Sequence, residues 1–270
     1  MNSSFSIVIA SIGSDSLAET ITAIGLSSIL PSEIIVVVPK NNRFKFIEFK
    51  SDVVQYVYVD FMGQVNQRIH GFGLAKSEYV IQLDDDIIVE RTCFENLLKC
   101  FKVLSGKRIV GPSFFYKDGL SCYAKISLFN RLLSCLLFIR IKPGIVSPLG
   151  YGYGSKFSDS STNYFQSNWL AGGCVLLHSS DLPMQSHFPY SGKAYCEDLI
   201  FSTLKKKENY QLYVVKNAIC FIDKPFLNKD NYDLKSDYQA RRYLLSISNI
   251  SAFKLEIWYF IKRIFKFSKF

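Results

Sequence analysis

The sequence predicts an α/β fold in which a mostly parallel central sheet is flanked by helices. Short apolar runs rich in β-branched residues alternate with segments of helical spacing, which is the pattern of a doubly wound sheet. In the run at 33–38, the five residues after Glu33 are all β-branched and apolar, as expected of a strand buried on both faces. Polar residues follow the runs at 5–10 and 78–83, at the edge where open α/β sheets bind ligands.

Four strands and two helices are predicted in the first 110 residues. The helices cover 17–30, where Pro31 ends the periodic pattern, and 64–76. The strands are expected at 5–10, 33–38, 53–59 and 78–83. This alternation predicts a nucleotide-binding half at 1–110 that continues without a linker into the rest of the chain.

The remainder of the chain is less regular. A predicted helix at 196–207 begins with two acidic residues. The other expected elements are a helix at 126–141, a bend at 169–173 that enters a buried strand, and short strands at 210–215 and 218–222. We therefore expect one domain over 1–225, whose second half is 111–225, and a C-terminal helical extension over 226–270.

Composition limits the classes of function. The chain of 270 residues is 49% hydrophobic and 20% charged, which excludes disorder and a coiled coil. Lys and Arg number 32 against 23 Asp and Glu, so the net charge of +9 predicts an anionic partner: a nucleotide, nucleic acid or a membrane surface. Seven cysteines without a CxxC pair favour a reducing compartment over a disulfide framework or a zinc site.

The C-terminal tail predicts an amphipathic helix. Residues 251–270 contain seven aromatic residues, and five basic residues against one Glu give +4 of the net charge. One helical stripe is apolar, and a basic face lies opposite: Phe253, Ile257, Phe260, Ile261, Ile264 and Phe267 against Lys262, Lys266 and Lys269. Such a helix suits peripheral contact with an anionic membrane, or it docks on the core with its basic face in water.

The expected location is cytoplasmic, at the inner face of the cell membrane. The N-terminus has no basic segment followed by a long apolar one, so no signal peptide is predicted. Uncharged apolar runs such as 132–139 are too short to span a bilayer. Because the tail accounts for much of the positive charge, nucleic acid is not expected as a partner.

Asp84, Asp85 and Asp86 are the clearest local signal of chemistry. Three adjacent carboxylates at the end of a predicted strand repel one another and favour a bound cation. In an extended chain, Asp84 and Asp86 lie on one side and Asp85 on the other. Hard divalent cations prefer such oxygen ligands, with phosphate oxygens completing the shell. A solvated acidic turn is the alternative interpretation.

Two further motifs have both a functional and a structural interpretation. Glu197 and Asp198 at a helix start stabilise the helix dipole, or one of them is a general base that accepts a proton from a hydroxyl. Gly172 and Gly173 make a tight bend, or they let the backbone approach a ligand. The glycine at position 71 belongs to no phosphate-binding pattern.

In their order along the chain, these motifs resemble the family 2 glycosyltransferases, which have the GT-A fold. The resemblance covers most of residues 5–225. The matching segments are the strand ends at 6–11 and 31–38, Arg68, Gly71 and Ala75 of an RNxGxxxA helix, Asp84 and Asp86 of a DxD motif, the acceptor-side segment 169–174, and 195–199 as the ED motif. The resemblance therefore implies a GT-A-type single domain with a donor half at 1–110 and an acceptor half at 111–225.

The resemblance also implies roles for individual residues. Asp198 would be the catalytic base, with Glu197 positioning either Asp198 or the acceptor. Asp86 would coordinate Mg²⁺ or Mn²⁺ on the donor diphosphate, and Asp84 would contact the ribose of the donor or support the metal. Arg68 would neutralise the departing nucleoside diphosphate. The remaining residues implied in nucleotide-sugar binding are Ser11, Asn41, Asp85, Gly172 and Gly173.

Three positions depart from the pattern of the family. Asn41 stands near the end of the second strand, where an acid that reads the nucleotide base is common, and is the candidate to replace it. Ile69 occupies the Asn position of the RNxGxxxA helix. Asp223 lies where many relatives have a metal-binding His, so we expect it to be a substitute metal ligand.

The resulting expectation is an inverting enzyme that moves a single sugar from a nucleoside-diphosphate sugar to a glycan or lipid-linked acceptor. Bacterial surface polysaccharide or glycolipid synthesis is the expected setting, with acceptor choice in 112–168. A nucleotidyltransferase is one alternative, although the loop at 11–15 lacks the basic residues typical of that class. A non-catalytic homologue that binds a nucleotide sugar or a partner enzyme is the other.

Overall fold

One mixed sheet organises the protein, whose computed structural model describes residues 4–45, 48–49, 51–120, 122, 144–152, 162–190, 193–223 and 233–264. The nine strands in these ranges are β1 (Phe5–Ala10), β2 (Glu33–Pro39), β3 (Val54–Val59), β4 (Tyr79–Asp84), β5 (Ile88–Val89), β6 (Arg108–Tyr116), β7 (Tyr164–Ser167), β8 (Cys174–His178) and β9 (Gln211–Ile222). Their order is β3-β2-β1-β4-β8-β6-β9-β5, and β7 pairs with β9.

Helices cover both faces of the sheet. Those described are α1 (Leu17–Gly25), α2 (Gln64–Leu74), α3 (Cys93–Val103), α4 (Glu197–Lys207), α5 (Leu234–Ile247) and α6 (Phe253–Ile264). Because successive strand residues point to opposite faces, Val8 belongs to the core beneath α2, whereas Ile7 and Ile9 belong to the core shared with α1 and α3. The predicted α/β class, with helices flanking a central sheet, is confirmed.

The first half follows the prediction closely. β3, β2, β1 and β4 are parallel neighbours, and each lies within one residue of its predicted position. The prediction for the first helix was too long, because α1 ends at Gly25 instead of residue 30. The chain leaves the helix there, and the Ser28 amide donates to the carbonyl of Arg91 at 2.8 Å.

The second half contains the antiparallel part of the sheet. β8, the predicted buried strand after the bend, runs antiparallel to β4. The two short strands predicted at 210–215 and 218–222 are one strand, β9, whose register against β6 shifts between Pro112 and Ser113. The shift explains the break in the apolar pattern. The helix predicted at 126–141 lies outside the described residues.

Gly71 sets how closely α2 lies on the sheet. A Cβ atom at this position would stand 2.5 Å from Cγ1 of Val8 and 3.1 Å from Cγ2 of Val37. Both distances are too short for carbon atoms in van der Waals contact. The glycine therefore serves packing, in agreement with its exclusion as part of a phosphate cradle.

The C-terminal helices pack on the rest of the protein. α5 contributes Ala240 and Leu244 to a core shared with α4. α6 buries three residues, all under 10% exposed, which are Leu255, Trp258 and Tyr259. The buried face of α6 is not the predicted apolar stripe, because Phe253 of the stripe is 69% exposed and Phe260 is 65% exposed. Docking on the core, one of the two interpretations of the tail, is therefore observed, mainly through residues outside the stripe, although Ile261 of the stripe also packs against this core.

In the part of the chain that the structure describes, every helix is too short or too polar to cross a bilayer.

Candidate active site

The acidic motifs of the two halves line one open cleft of about 530 Å³. β4 supplies the first of the three aspartates at its carboxyl end, and α4 begins with the Glu-Asp pair. Because β8 pairs with β4, the bend that precedes β8 lies next to the end of β4 and forms the wall of the cleft between β4 and α4. The predicted site residues along its wall are Arg68, Asp84, Asp86, Gly172, Gly173, Glu197, Asp198 and Asp223.

Arg68 connects the two acidic motifs. Its side chain is 3% exposed, bonds through Nη2 to Oδ1 of Asp84, and donates through Nη1 to Oε2 of Glu197 at 2.9 Å. Burial opposes the charge, but the two carboxylates raise the pKa of Arg68 above its ordinary value. Gln64 adds a further hydrogen bond to Oδ1 of Asp84, at 3.0 Å.

This arrangement differs from the role that the sequence suggested for Arg68. A guanidinium already paired with two carboxylates has little capacity left for a departing diphosphate. Only Nε has no hydrogen-bond partner among the described residues. The geometry instead favours a positioning role, in which Arg68 holds Asp84 and Glu197 at fixed places on the cleft wall.

Asp85 points away from its two neighbours, as the alternation predicted. Its Oδ2 accepts from Oγ of Ser11 at 2.5 Å, and its carbonyl accepts from Oγ1 of Thr20 at 3.0 Å. Burial raises the pKa of Asp85 to about 6, although the bond from Ser11 opposes this shift. Ser11 is itself 2% exposed, so the pair fixes the end of β1 against the acidic turn.

Asp86 and Asp223 are two carboxylates of the cleft that could hold a cation. Burial raises the pKa of Asp86, and the charges of Asp84 and Asp223 raise it further, whereas Lys117 lowers it. Nζ of Lys117 lies 3.2 Å from Oδ2 of Asp223 and 3.1 Å from Oε2 of Glu19. The repulsion of Asp86 by Asp84 and Asp223 fits a hard divalent cation, whose positive charge would offset it.

The cation shell would need ligands from a second source. Within the described ranges, no three His, Cys, Asp or Glu side chains are close enough to form a metal site on their own. Phosphate oxygens of a bound nucleotide are ligands of the required kind. The donor set thus fits a cation that is shared with a substrate rather than held in a closed protein site.

The two glycines of the bend allow its close approach to the acids. A Cβ on Gly172 would stand 3.0 Å from Oε2 of Glu197 and 3.3 Å from Cβ of Asp198. A Cβ on Gly173 would stand 2.5 Å from Cδ1 of Ile87, and the Gly173 carbonyl accepts from the Asp84 amide at 2.8 Å. The glycines therefore both make the bend and keep the cleft open.

Asp198 has the pKa of a base that works near neutral pH. Burial and the charge of Glu197 raise the pKa of Asp198 to about 7, against the hydrogen bond from the Leu199 amide. That amide donates to Oδ1 of Asp198 at 2.8 Å. Cys196, the residue immediately before α4, has a left-handed backbone with φ of 57°, a conformation that costs a non-glycine residue about 1 kcal/mol or more.

The loops that follow β1 and β2 are tied together by residues that the sequence did not single out. Asn41, the expected base-reading residue, is exposed, whereas Nδ2 of Asn42 donates to the Ile12 carbonyl at 2.8 Å. Nε2 of Gln67 donates to the carbonyls of Ser11 at 2.9 Å and Val37 at 2.7 Å. Gln67 could have been found from the sequence, because a polar residue on the buried face of a helix indicates a side chain with hydrogen-bond partners inside the protein.

Comparison with solved structures identifies the class of fold. The chain is similar to GalNAc-T7, solved with UDP, GalNAc and Mn²⁺, with a TM-score of 0.64 and 11% identity over 94% of this chain. It is also similar to TarS of S. aureus, solved as residues 1-349 with UDP-GlcNAc and alone, with TM-scores of 0.52 and 0.51, 13% identity and 90% coverage. The fold is thus of the GT-A type found in glycosyltransferases.

The likeness concerns only part of those proteins. This chain covers 50% of the GalNAc-T7 chain and 66% and 65% of the two TarS chains. No family model matches the chain, and no curated protein matches it in sequence.

The contacts of Arg68 predict a large loss of stability when its charge is removed. Arg68→Met leaves Asp84 and Glu197 as partly buried, unpaired carboxylates, so we expect the free energy of unfolding at pH 7 to fall by about 3–5 kcal/mol. Lys117→Met, which breaks two exposed ion pairs, is the control and should cost under about 1 kcal/mol. Urea unfolding measures the loss of stability in both variants, and equal losses would contradict the positioning role of Arg68.

Proposed function

We propose that the protein is a metal-dependent, inverting glycosyltransferase of the family 2 type. It would transfer one sugar from a nucleoside-diphosphate sugar to a hydroxyl of a glycan or lipid-linked acceptor. The observation that carries the proposal is the cleft itself: Asp84 and Asp86 at the end of β4, and Glu197 and Asp198 at the start of α4, line one cavity and are bridged by Arg68.

The solved neighbours support the class of donor and cofactor. GalNAc-T7 was solved with UDP and Mn²⁺, and TarS with UDP-GlcNAc. A UDP-sugar donor with Mn²⁺ or Mg²⁺ is therefore our proposal for this chain. Asp86 and Asp223 would hold the cation, and the pair of Ser11 and Asp85 would keep the donor-side loop in place. When bound, the cation would neutralise the charge on the departing diphosphate.

Asp198 would act as the base. It takes the proton from the acceptor hydroxyl, whose oxygen forms a bond to the anomeric carbon. The bond from that carbon to the diphosphate oxygen breaks, and the diphosphate leaves with the electron pair. A single displacement of this kind inverts the anomeric centre. Glu197, held by Arg68, would orient the acceptor beside Asp198.

The base role predicts the pH dependence of activity. The folded-state pKa of Asp198 is raised to about 7, so the carboxylate becomes protonated and inactive as pH falls through that value. We expect kcat/KM for sugar transfer to rise by about tenfold per pH unit below 7 and to level off above it. Asp198→Asn should lower kcat/KM by about 10²–10⁴-fold, whereas Glu208→Gln, at the other end of α4, should not. An Asp198→Asn enzyme with wild-type activity would refute the assignment.

Donor binding predicts a metal-dependent gain in thermal stability. UDP with Mn²⁺ should raise the Tm of the wild type more than either alone, because a ligand stabilises the state that it binds. Asp86→Asn should lose this additional shift, and Asp60→Asn, at an exposed ion pair with Lys40, should keep it. Shifts are compared within each variant, since Asp86→Asn also removes repulsion in the free protein. If no nucleoside diphosphate shifted the Tm, the non-catalytic alternative would replace the proposal. Release of pyrophosphate in an activity assay would instead identify a nucleotidyltransferase.

We also propose peripheral contact with an anionic membrane at the cytoplasmic face, in the setting of bacterial surface polysaccharide or glycolipid synthesis. The support is the stripe of Phe253, Ile257 and Phe260 on α6, which stays accessible although the opposite side of the helix is docked. Arg263 is exposed on the same helix. A membrane-bound acceptor would then be presented to a membrane-bound enzyme.

Exposure of the stripe predicts binding to vesicles. Phe253→Ser combined with Phe260→Ser should weaken co-sedimentation with vesicles of phosphatidylglycerol and phosphatidylcholine by about tenfold or more, since each ring contributes roughly 1 kcal/mol of apolar burial. Leu26→Ser combined with Leu30→Ser is the control, because these leucines are 70% and 63% exposed outside α6. Equal binding of both variants would refute the contact. Substitutions are preferable to deletion of the tail, which would expose the core around Leu255.

A further inference from the structure

We propose that the acceptor is an extended glycan, whose second, uncharged sugar occupies a groove beside the cleft. The groove has a volume of about 480 Å³, within the usual range for small-molecule sites. It lies between the start of α2 and the segment before α4, and its principal side chains are Gln64, Asn66, Ser186, His187, Phe188 and Tyr190. The inference rests on the proposed function.

The groove is continuous with the proposed site of proton transfer. Gln64 and Ala194 line both the groove and the cleft. Nε2 of Gln64 donates to Oδ1 of Asp84 at 3.0 Å, so this side chain marks the boundary. On the inner side, Tyr190 also lines a space of about 30 Å³ together with Glu197. A sugar beside Asp198 would thus have its neighbouring residue in the groove.

The wall of the groove consists of aromatic side chains that pack on one another and on α5. The ring of Phe188 lies 4.9 Å from that of Tyr190 and 5.2 Å from that of Tyr243 on α5, measured between centroids. The Phe188 carbonyl accepts from Oγ of Ser186 at 2.7 Å and from the Tyr190 amide at 3.0 Å. A preformed aromatic wall reduces the entropy cost of binding. It also offers an apolar face against which the C–H groups of a sugar ring can pack.

The chemistry of the lining favours an uncharged, hydroxyl-rich ligand. Among the described residues that line the groove there is no Asp, Glu, Lys or Arg. A phosphate or a carboxylate in the groove would have no Lys or Arg among these residues to pair with it. Amide, hydroxyl and imidazole groups, by contrast, donate and accept hydrogen bonds with sugar hydroxyls. The groove therefore fits a neutral sugar and adds the segment before α4 to the acceptor region expected at 112–168.

A binding experiment without donor or turnover tests this inference. The probes are neutral methyl glycosides and the matching disaccharides, measured by saturation-transfer NMR and calorimetry on the full chain. At least one disaccharide should bind the wild type with a Kd about tenfold or more below that of its methyl glycoside. A disaccharide whose second residue is a uronic acid should show no such gain.

Two variants of the groove and one control variant test whether the gain in affinity for the disaccharide arises in the groove. Asn66→Trp, at an exposed position on the rim, fills the groove and should abolish the difference between disaccharide and monosaccharide. His187→Ala should reduce it without filling the groove. Lys102→Trp, exposed on α3 outside both cavities, should keep it.

Each outcome is informative. Absence of any disaccharide gain, or a gain that survives in Asn66→Trp, overturns the inference. A different result, the absence of a Tm shift with UDP and Mn²⁺, would refute the proposed function. Disaccharide binding without that shift would leave the groove as the sugar site of a non-catalytic protein.

Discussion

The buried guanidinium of Arg68 is the interaction on which the cleft depends. Removing a charge from water costs several kcal/mol, and only well-placed partners offset this cost. The partners, Asp84 and Glu197, lie 16 and 129 residues away along the chain. The pairing can therefore form only when both halves of the domain have folded against each other. The same contact that stabilises this junction fixes the distance between the two acidic motifs.

The close approach of these charges requires positions without side chains. Gly71 lets α2 lie deep enough on the sheet for Arg68 to reach the cleft from beneath. Gly172 lets the bend before β8 pass within van der Waals distance of Glu197. A methyl group at either glycine would displace an element that carries a charged partner. Packing and electrostatics are thus two aspects of one constraint, and the strained backbone of Cys196 stands at the same junction.

Local pattern predicted the elements whose signals are local. Apolar runs and β-branched or aromatic residues are local signals, so β1 to β4 could be placed to within a residue, including β3, which is only partly buried. The end of α1 and the continuity of β9 depend on pairing with distant segments, which no local pattern contains. Likewise, chemistry identified the carboxylates of the site, but the burial of Arg68 and the bridging role of Gln67 follow from how α2 docks.

The two apolar faces of α6 explain why its sequence was ambiguous. The buried face, with Trp258, is fully accounted for by docking on the core that includes Leu245 of α5. The second face, which includes Phe253, is exposed in the part of the chain that the structure describes, and it is the face for which we propose membrane contact. Because α5 packs on both α6 and α4, a surface bound through that second face would be rigidly connected to the helix that begins with Glu197.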